Sequence, residues 1–289
     1  MAVFFIQEAK EENSIKLQFK KILNKLEFNG KFITLPINKK ISIKKAVKFA
    51  NKLEENNVRN VVLSKYLNNI QELKNEIHSN NINILEGRFL FKLLIKEIIE
   101  YICKKTGKKQ EDLEISFLTN DANNINKQII LEISQNVKRL NIITNHIKEF
   151  KDVEDYLYNE MGIMIKISNN PKTDLLKSNI IINMDFIEDI INKYNLPKQG
   201  IIININGNIK IKSKKFNGLN INNYKIQMPE KYKIDGFCNE FVYEGNIWGL
   251  DYKNARKQIL DDKIRIKCLI GENGEIDKRE FLDNTRFVR

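Results

Sequence analysis

The chain has 289 residues, long for one hydrophobic core and sufficient for two, and its 42% hydrophobic content excludes global disorder. It carries 49 Lys and Arg against 37 Asp and Glu, a formal charge of +12, so it is strongly basic. No apolar run approaches the roughly 20 residues needed to cross a bilayer: the most apolar stretch, "RFLFKLLIKEIIEYI" at 88–102, is broken by Lys92 and Lys96.

The opening "MAVFFIQEAKEEN" has no basic start, long apolar stretch or small-residue cleavage site, so a signal peptide is not expected. A cytoplasmic protein with no membrane partner is.

The first hundred residues alternate short apolar runs with helical periodicity. "VFFI" (3–6) reads as a strand, and Ile15, Phe19, Ile22, Leu23 and Leu26 then fall on one helical face. "KFITLPI" (31–37) is a second strand, with Pro36 shaping a turn. Ser42 is placed to cap a helix whose buried stripe is Ile43, Ala46, Val47, Ala50 and Leu53. "NVVLS" (60–64) is a third strand, followed by a helix bearing Tyr66, Ile70, Leu73 and Ile77, and "INIL" (82–85) a fourth. Strands and helices alternating at this spacing predict a mostly parallel sheet with helices on its faces. Residues 88–106 read as one long helix, apolar nearly all round and hence buried, stopped by Gly107.

A second alternating series follows. Its strands are "ISFLT" (115–119), "LNIIT" (140–144), "IMIKI" (163–167), "NIIINM" (179–184) and "GIIINI" (200–205). Their continuous Ile content fits parallel strands covered on both faces. The first intervening helix places Ile125, Ile129, Ile133 and Val137 on one side, the next Phe150, Val153 and Leu157, and "FIEDIINKY" (186–194) is a short third. Asn206-Gly207, between two alternating runs, predicts a terminal antiparallel hairpin. Beyond residue 216, a helix is predicted near 252–262 and a strand at "IRIKCLI" (264–270) before the turn-like "GENGE".

The expected architecture is α/β with two domains. An N-terminal α/β domain with its long connecting helix spans 1–108, a parallel-sheet domain 109–215, and a C-terminal segment, 216–289, packs back on the first domain.

In an open parallel sheet, ligands bind beyond the carboxyl ends of the strands where strand order reverses. The turn Thr119-Asn120-Asp121-Ala122-Asn123 after the first strand of the second series is the place for such a crevice. Asn120 or Asp121 can cap the next helix, whose free N–H groups and positive dipole end suit an anion. A pyrophosphate normally requires glycine there for close approach. Here Asp, Ala and Asn stand instead, and Asp121 repels a phosphate. The second strand ends in Asn145-His146, where an acidic residue would hold the ribose of NAD. A neutral amide followed by a cationisable ring leans towards NADP. The other reading of Asn145 and His146 is a polar loop.

The run "LNIITNHIKEFKDVEDYLYNEMGIMI" followed by "DLLKSNIIINM" resembles the nucleotide domain of the shikimate dehydrogenase and glutamyl-tRNA reductase group. Asn145 matches the Asn of that group's Asn-Arg-Thr-type motif, His146 replaces its Arg, and residues 179–183 match a later strand. The resemblance covers roughly 85–206. It implies a Rossmann-like domain of the dehydrogenase/reductase type binding NADP or NAD, with contacts from Thr119, Asn120, Asp121, Ala122, Asn123, Asn145, His146 and Met184. The group's Gly-rich loop is absent, so cofactor affinity is expected to be weak or lost.

No counterpart of the substrate-binding Lys and Asp, or of the nucleophilic Cys, is found. Cys103 lies in an apolar helix where a thiol is hard to ionise. Catalysis is left without a named acid, base or nucleophile.

Cys103, Cys238 and Cys268 are widely spaced, and with His78 and His146 they form no metal-ligand pattern, so no metal is expected. Arg88, after Glu86-Gly87, could bind a carboxylate or phosphate, although pairing with a neighbouring acid is the preferred reading. "GFCNEFVYEGNIWGLDY" (236–252) gathers Tyr243, Trp248 and Tyr252 as a lid, a partner surface or core. Two further readings stand beside the nucleotide one. The first is a non-catalytic scaffold that binds a protein partner. The second is a nucleic-acid-binding protein, against which the dispersal of lysines as pairs such as Lys104-Lys105 and Lys108-Lys109 weighs.

Overall fold

The structure, a computed structural model, describes residues 2–9, 26–35 and 41–285. The helix expected on Ile15, Phe19, Ile22 and Leu23 and the turn at Pro36 lie outside them. The chain forms two compact units, Met1–Leu90 with Met228–Lys263, and Phe91–Gln227 with Ile264–Arg289.

Unit 1 opens with β1 (Phe4–Glu8), β2 (Glu27–Asn29) and β3 (Phe32–Leu35). Then come α1 (Ile43–Glu55), β4 (Asn60–Leu63), α2 (Gln71–Ser79) and β5 (Asn83–Ile84). The sheet order is β2-β3-β1-β4-β5, parallel except for β2. The β2–β3 hairpin turns on Gly30, whose φ of 59° suits the first central position of a two-residue loop. Ile6, Ile33, Val61 and Leu63 pack with Phe49, Leu53, Leu73 and Ile77 in its core. Ser42 precedes α1 without a side-chain cap bond. The buried stripe is Ala46, Phe49, Ala50 and Leu53: three of the predicted positions hold, Ile43 is exposed, Val47 is half-buried, and Phe49 joins them. The predicted helix through Tyr66 is shorter: a 3-10 turn at Leu67–Asn69 precedes α2.

The long helix expected at 88–106 is two, α3 (Arg88–Leu93) and α4 (Ile95–Thr106), because Leu94 takes φ −90°, ψ 11° and interrupts the helical ladder. The division between units, at Leu90/Phe91, falls within α3. Gly107 ends α4 in the left-handed conformation, φ 71°, donating its N–H to Cys103 O at 2.8 Å.

Unit 2 continues with β6 (Glu114–Leu118), α5 (Asn124–Ser134), β7 (Arg139–Ile143), α6 (Lys151–Met161) and β8 (Lys166–Ser168). Next are β9 (Ile180–Asn183), α7 (Glu188–Ile191), β10 (Ile201–Asn204), β11 (Leu219–Ile221) and β12 (Asn223–Gln227). Its six-stranded sheet runs β11-β10-β9-β6-β7-β8, all parallel. Counting from β6, this is the order 3-2-1-4-5-6 of the Rossmann fold. Ile180–Ile182 and Ile201–Ile203 are fully buried, as central parallel strands require.

The hairpin expected at Asn206-Gly207 does not form. Residues 205–218 return as a loop and β11 joins β10 in parallel. The reason is a ladder of asparagines. Asn204 Nδ2 donates to Asn220 Oδ1 and Asn222 Oδ1 (2.8 and 2.9 Å), and Asn183 Nδ2 donates to Asn204 Oδ1 (3.1 Å). Ile209 N–H donates to Asn222 Oδ1 at 3.0 Å, and Ile209 O accepts Asn220 Nδ2 at 2.7 Å. Side chains thus satisfy the backbone groups that an antiparallel partner would have taken.

Two helices of the returning segment, α8 (Asn239–Ile247) and α9 (Tyr252–Asp261), belong to unit 1. The chain then completes unit 2 with β13 (Arg265–Gly271), β14 (Gly274–Glu275) and α10 (Lys278–Asn284). "GENGE" makes the tight β13–β14 turn, and β12-β13-β14 form a small antiparallel sheet.

Candidate functional site

The strand order of unit 2 reverses between β6 and β9, and their carboxyl ends lead into Thr119-Asn120-Asp121 and Met184-Asp185, the place at which open parallel sheets take ligands. Asn123 caps α5, its side chain accepting Asn126 N–H at 2.9 Å. The cap falls two residues beyond Asp121, the later of the two predicted caps. Asp121 instead accepts Asn123 N–H at 3.0 Å, an Asx turn that braces the loop.

The N–H groups of Asn120 and Asp121, in the turn after β6, are engaged within the chain. Asp185 accepts Asn120 N–H with both carboxylate oxygens (2.9 and 3.0 Å), Asp121 N–H at 3.0 Å and the Thr119 hydroxyl at 2.8 Å.

Around this lock, Asn126 Nδ2 donates to Asp121 O at 2.6 Å. Asn120 Oδ1 accepts Asn145 N–H at 2.8 Å, bridging the ends of β6 and β7. Lys92 stands in the field of Asp121 and Asp185. Burial lowers its pKa, and the two carboxylates act against that shift. It is a counter-charge to the pair.

The predicted residues therefore gather at one strand edge, in different states. Thr119 and Met184 are fully buried, and Ala122 is half-buried. Asp121, Asn123, Asn145 and His146 are exposed. Asn145 Oδ1 accepts Asn169 Nδ2, and the Tyr194 hydroxyl donates to Asn169 Oδ1, so the ribose-reading position is tied into a polar chain. His146 Nδ1 lies 3.4 Å from Glu149 Oε1 on the surface, a partner not foreseen from sequence.

Sequence reasoning missed Asp185 and Lys92. Asp185 directly follows the predicted contact Met184. An acid one residue past the fourth strand was the available signal, once that strand is known to neighbour the first.

Burial, aided by Glu100, pushes the Cys103 thiol up to about 11. Among the described residues, no group of three His, Cys, Asp or Glu is placed to hold a metal ion, and no helix is long and apolar enough to cross a membrane.

In unit 1, Glu244 is 2% exposed and accepts the N–H groups of Gly87 and Phe89, the latter at 2.8 Å. Burial pushes its carboxyl up to about 7 against the pull of those bonds. Glu86, beside it, pairs with Lys74 at 2.6 Å. Of the aromatics at 236–252, Tyr243 is fully buried, its hydroxyl donating to Asp262 at 3.0 Å, and Trp248 meets Phe89 edge-on at 5.6 Å. Tyr243 is thus a core residue, which excludes it from a lid.

No protein-family model matches the chain, and no curated protein matches it in sequence. Solved structures similar to it include L-tryptophan dehydrogenase from Nostoc punctiforme, at 10% identity and a TM-score of 0.38, over 89% of this chain and 78% of that one. Another is shikimate dehydrogenase in complex with NADP+, at 9% identity and a TM-score of 0.36, over 90% and 94%. Ornithine carbamoyltransferase from Pyrococcus furiosus follows at 11% identity and 0.28, over 69% and 71%. By its own strand order, unit 2 has a Rossmann-like fold.

Proposed function

We propose that this is a Rossmann-fold protein of the dehydrogenase/reductase type whose dinucleotide site is closed by its own carboxylate, and that it works as a non-catalytic binding protein. One observation carries this reading: Asp185 occupies the N–H groups of Asn120 and Asp121. A pyrophosphate would have to displace that carboxylate and then face it, together with Asp121, at close range. Like charges at a few ångströms cost several kcal/mol in a partly desolvated site. Lys92 offsets only part of this, because two carboxylates already share it. The residues present therefore do not fit NADP or NAD in the usual cradle. Non-catalytic action is further supported by a thiol at Cys103 held in its neutral form and by a His146–Glu149 pair lying open on the surface.

Thermal melting with NADPH and NADH tests the reading. A nucleotide that binds only the folded state raises Tm by mass action, by about 2.7 kcal/mol of stability at a hundredfold excess over Kd. Neither nucleotide at millimolar concentration is expected to move Tm. A saturable rise with either one would overturn the proposal.

A further inference from the structure

We propose that the opposite edge of the unit 2 sheet carries a binding groove for a phosphate chain, the backbone of a nucleic acid. A cavity of about 900 Å³ lies at the amino ends of β6, β9 and β10. Lys108, Lys109, Lys138, Lys177 and Lys198 line it, each within a few residues of the start of a strand. Parallel strands begin side by side, so five lysines that are scattered in sequence converge on one wall. Their apparent dispersal along the chain thus disappears on folding.

Among the described residues none of these five ammonium groups has a carboxylate in ion-pair range; the acids of the wall are Asp112 and Glu114, and Glu114 faces Arg139 at 3.7 Å. The groove is therefore a cluster of unneutralised positive charge. Such a cluster costs self-repulsion unless an anion shares the space.

The chemistry of the wall selects the kind of anion. Lysine offers a mobile point charge, suited to successive phosphates, and lacks the planar fork that grips a carboxylate in two-pronged fashion. No aromatic side chain lines the groove, so bases have nothing to stack on and recognition falls on the backbone. The volume exceeds what a single phosphate fills. The expected partner is a run of phosphates bound without sequence preference. This site lies at the far end of the strands from Asp185 and does not depend on the closed crevice.

The test measures binding of the full chain to labelled random-sequence duplex DNA, single-stranded RNA and inorganic polyphosphate across a salt series. Binding is expected at low salt, with affinity falling on a log–log slope of up to about −4.5 for duplex or −3.5 for a single strand if all five lysines engage. The triple variant Lys138→Glu, Lys177→Glu, Lys198→Glu should lose about tenfold or more and flatten the slope. Lys44→Glu, Lys45→Glu, Lys48→Glu makes the same change in net charge on the exposed face of α1 and should leave affinity near the parent value. Circular dichroism and melting confirm that both variants fold. Binding by a nucleic acid that the groove variant alone weakens supports the proposal. Groove-dependent binding of polyphosphate alone assigns the same site to the free polymer and overturns the nucleic-acid assignment. Absence of low-salt binding, or equal losses in both triples, overturns the site.

Discussion

Asp185 and Asn120 meet across the reversal of strand order, the carboxylate of one accepting the backbone N–H of the other at 2.9 and 3.0 Å. The pair lies 65 residues apart in sequence, yet it closes the turn on which a Rossmann domain normally receives its ligand. The internal carboxylate holds the loop through the N–H groups of Asn120 and Asp121.

That relationship predicts a gain of anion binding on mutation. Asp185→Ala removes bonds from Thr119, Asn120 and Asp121, and should cost about 2–3 kcal/mol in urea unfolding, since bonds to a charged group contribute about 1.5–3 kcal/mol each but act here as a unit. Pyrophosphate should raise Tm by more in the variant than in the parent. Equal responses of the two proteins would show that Asp185 does not guard these donors.

Glu244 predicts a pH signature. Its folded pKa, about 7, lies above its ordinary 4.5, so the protonated form is the one folding favours. The contribution is fully present below pH 4.5 and is lost as pH rises through 7, a change of about 3 kcal/mol at about 1.4 kcal/mol per unit. Glu244→Gln should lack this slope. The stability of the variant relative to the parent is therefore expected to climb between pH 4.5 and 8, and a pH-independent difference would refute the assignment.

The asparagine ladder gives a packing prediction. Asn204 is fully buried and bonds Asn183, Asn220 and Asn222. Asn204→Ala leaves polar partners unsatisfied in the interior and should destabilise by about 2–4 kcal/mol. Leucine, with similar bulk and no polar atoms, should not rescue it. Chemical denaturation of both variants measures this.

Gly218 is predicted to tolerate no side chain. A Cβ there would lie 2.0 Å from Gly200 O, which accepts Leu219 N–H at 2.9 Å in the β10–β11 pairing. Gly218→Ala must shift backbone and should cost about 1–3 kcal/mol, with faster amide exchange at Leu219 and Ile221. Exchange unchanged at those two amides would argue against the close approach.

Cys103 should be slow to alkylate. With a pKa near 11 its thiolate is scarce at pH 8, so iodoacetamide is expected to modify it about a hundredfold more slowly than a free thiol in the unfolded chain, followed by mass spectrometry. Comparable rates in the folded and unfolded protein would contradict the thiol's burial.

The sequence by itself determined the parallel strands of both units, because runs such as "IIIN" at 180–183 and 201–204 have only one way to hide every side chain. It also located the stop at Gly107 and the turn that begins at residue 119, since left-handed turns and strand ends have local chemical marks. Tertiary structure decided the rest. Asn206-Gly207 carries a hairpin signal that the fold does not use. Asn220 and Asn222 of a later strand instead bond Ile209, just beyond it. Asp185 could not be matched to Asn120, nor five scattered lysines to one groove, until strand order made them neighbours. Hydrophobic periodicity is a local property read along the chain, whereas charge and hydrogen-bond pairing depend on distance in space.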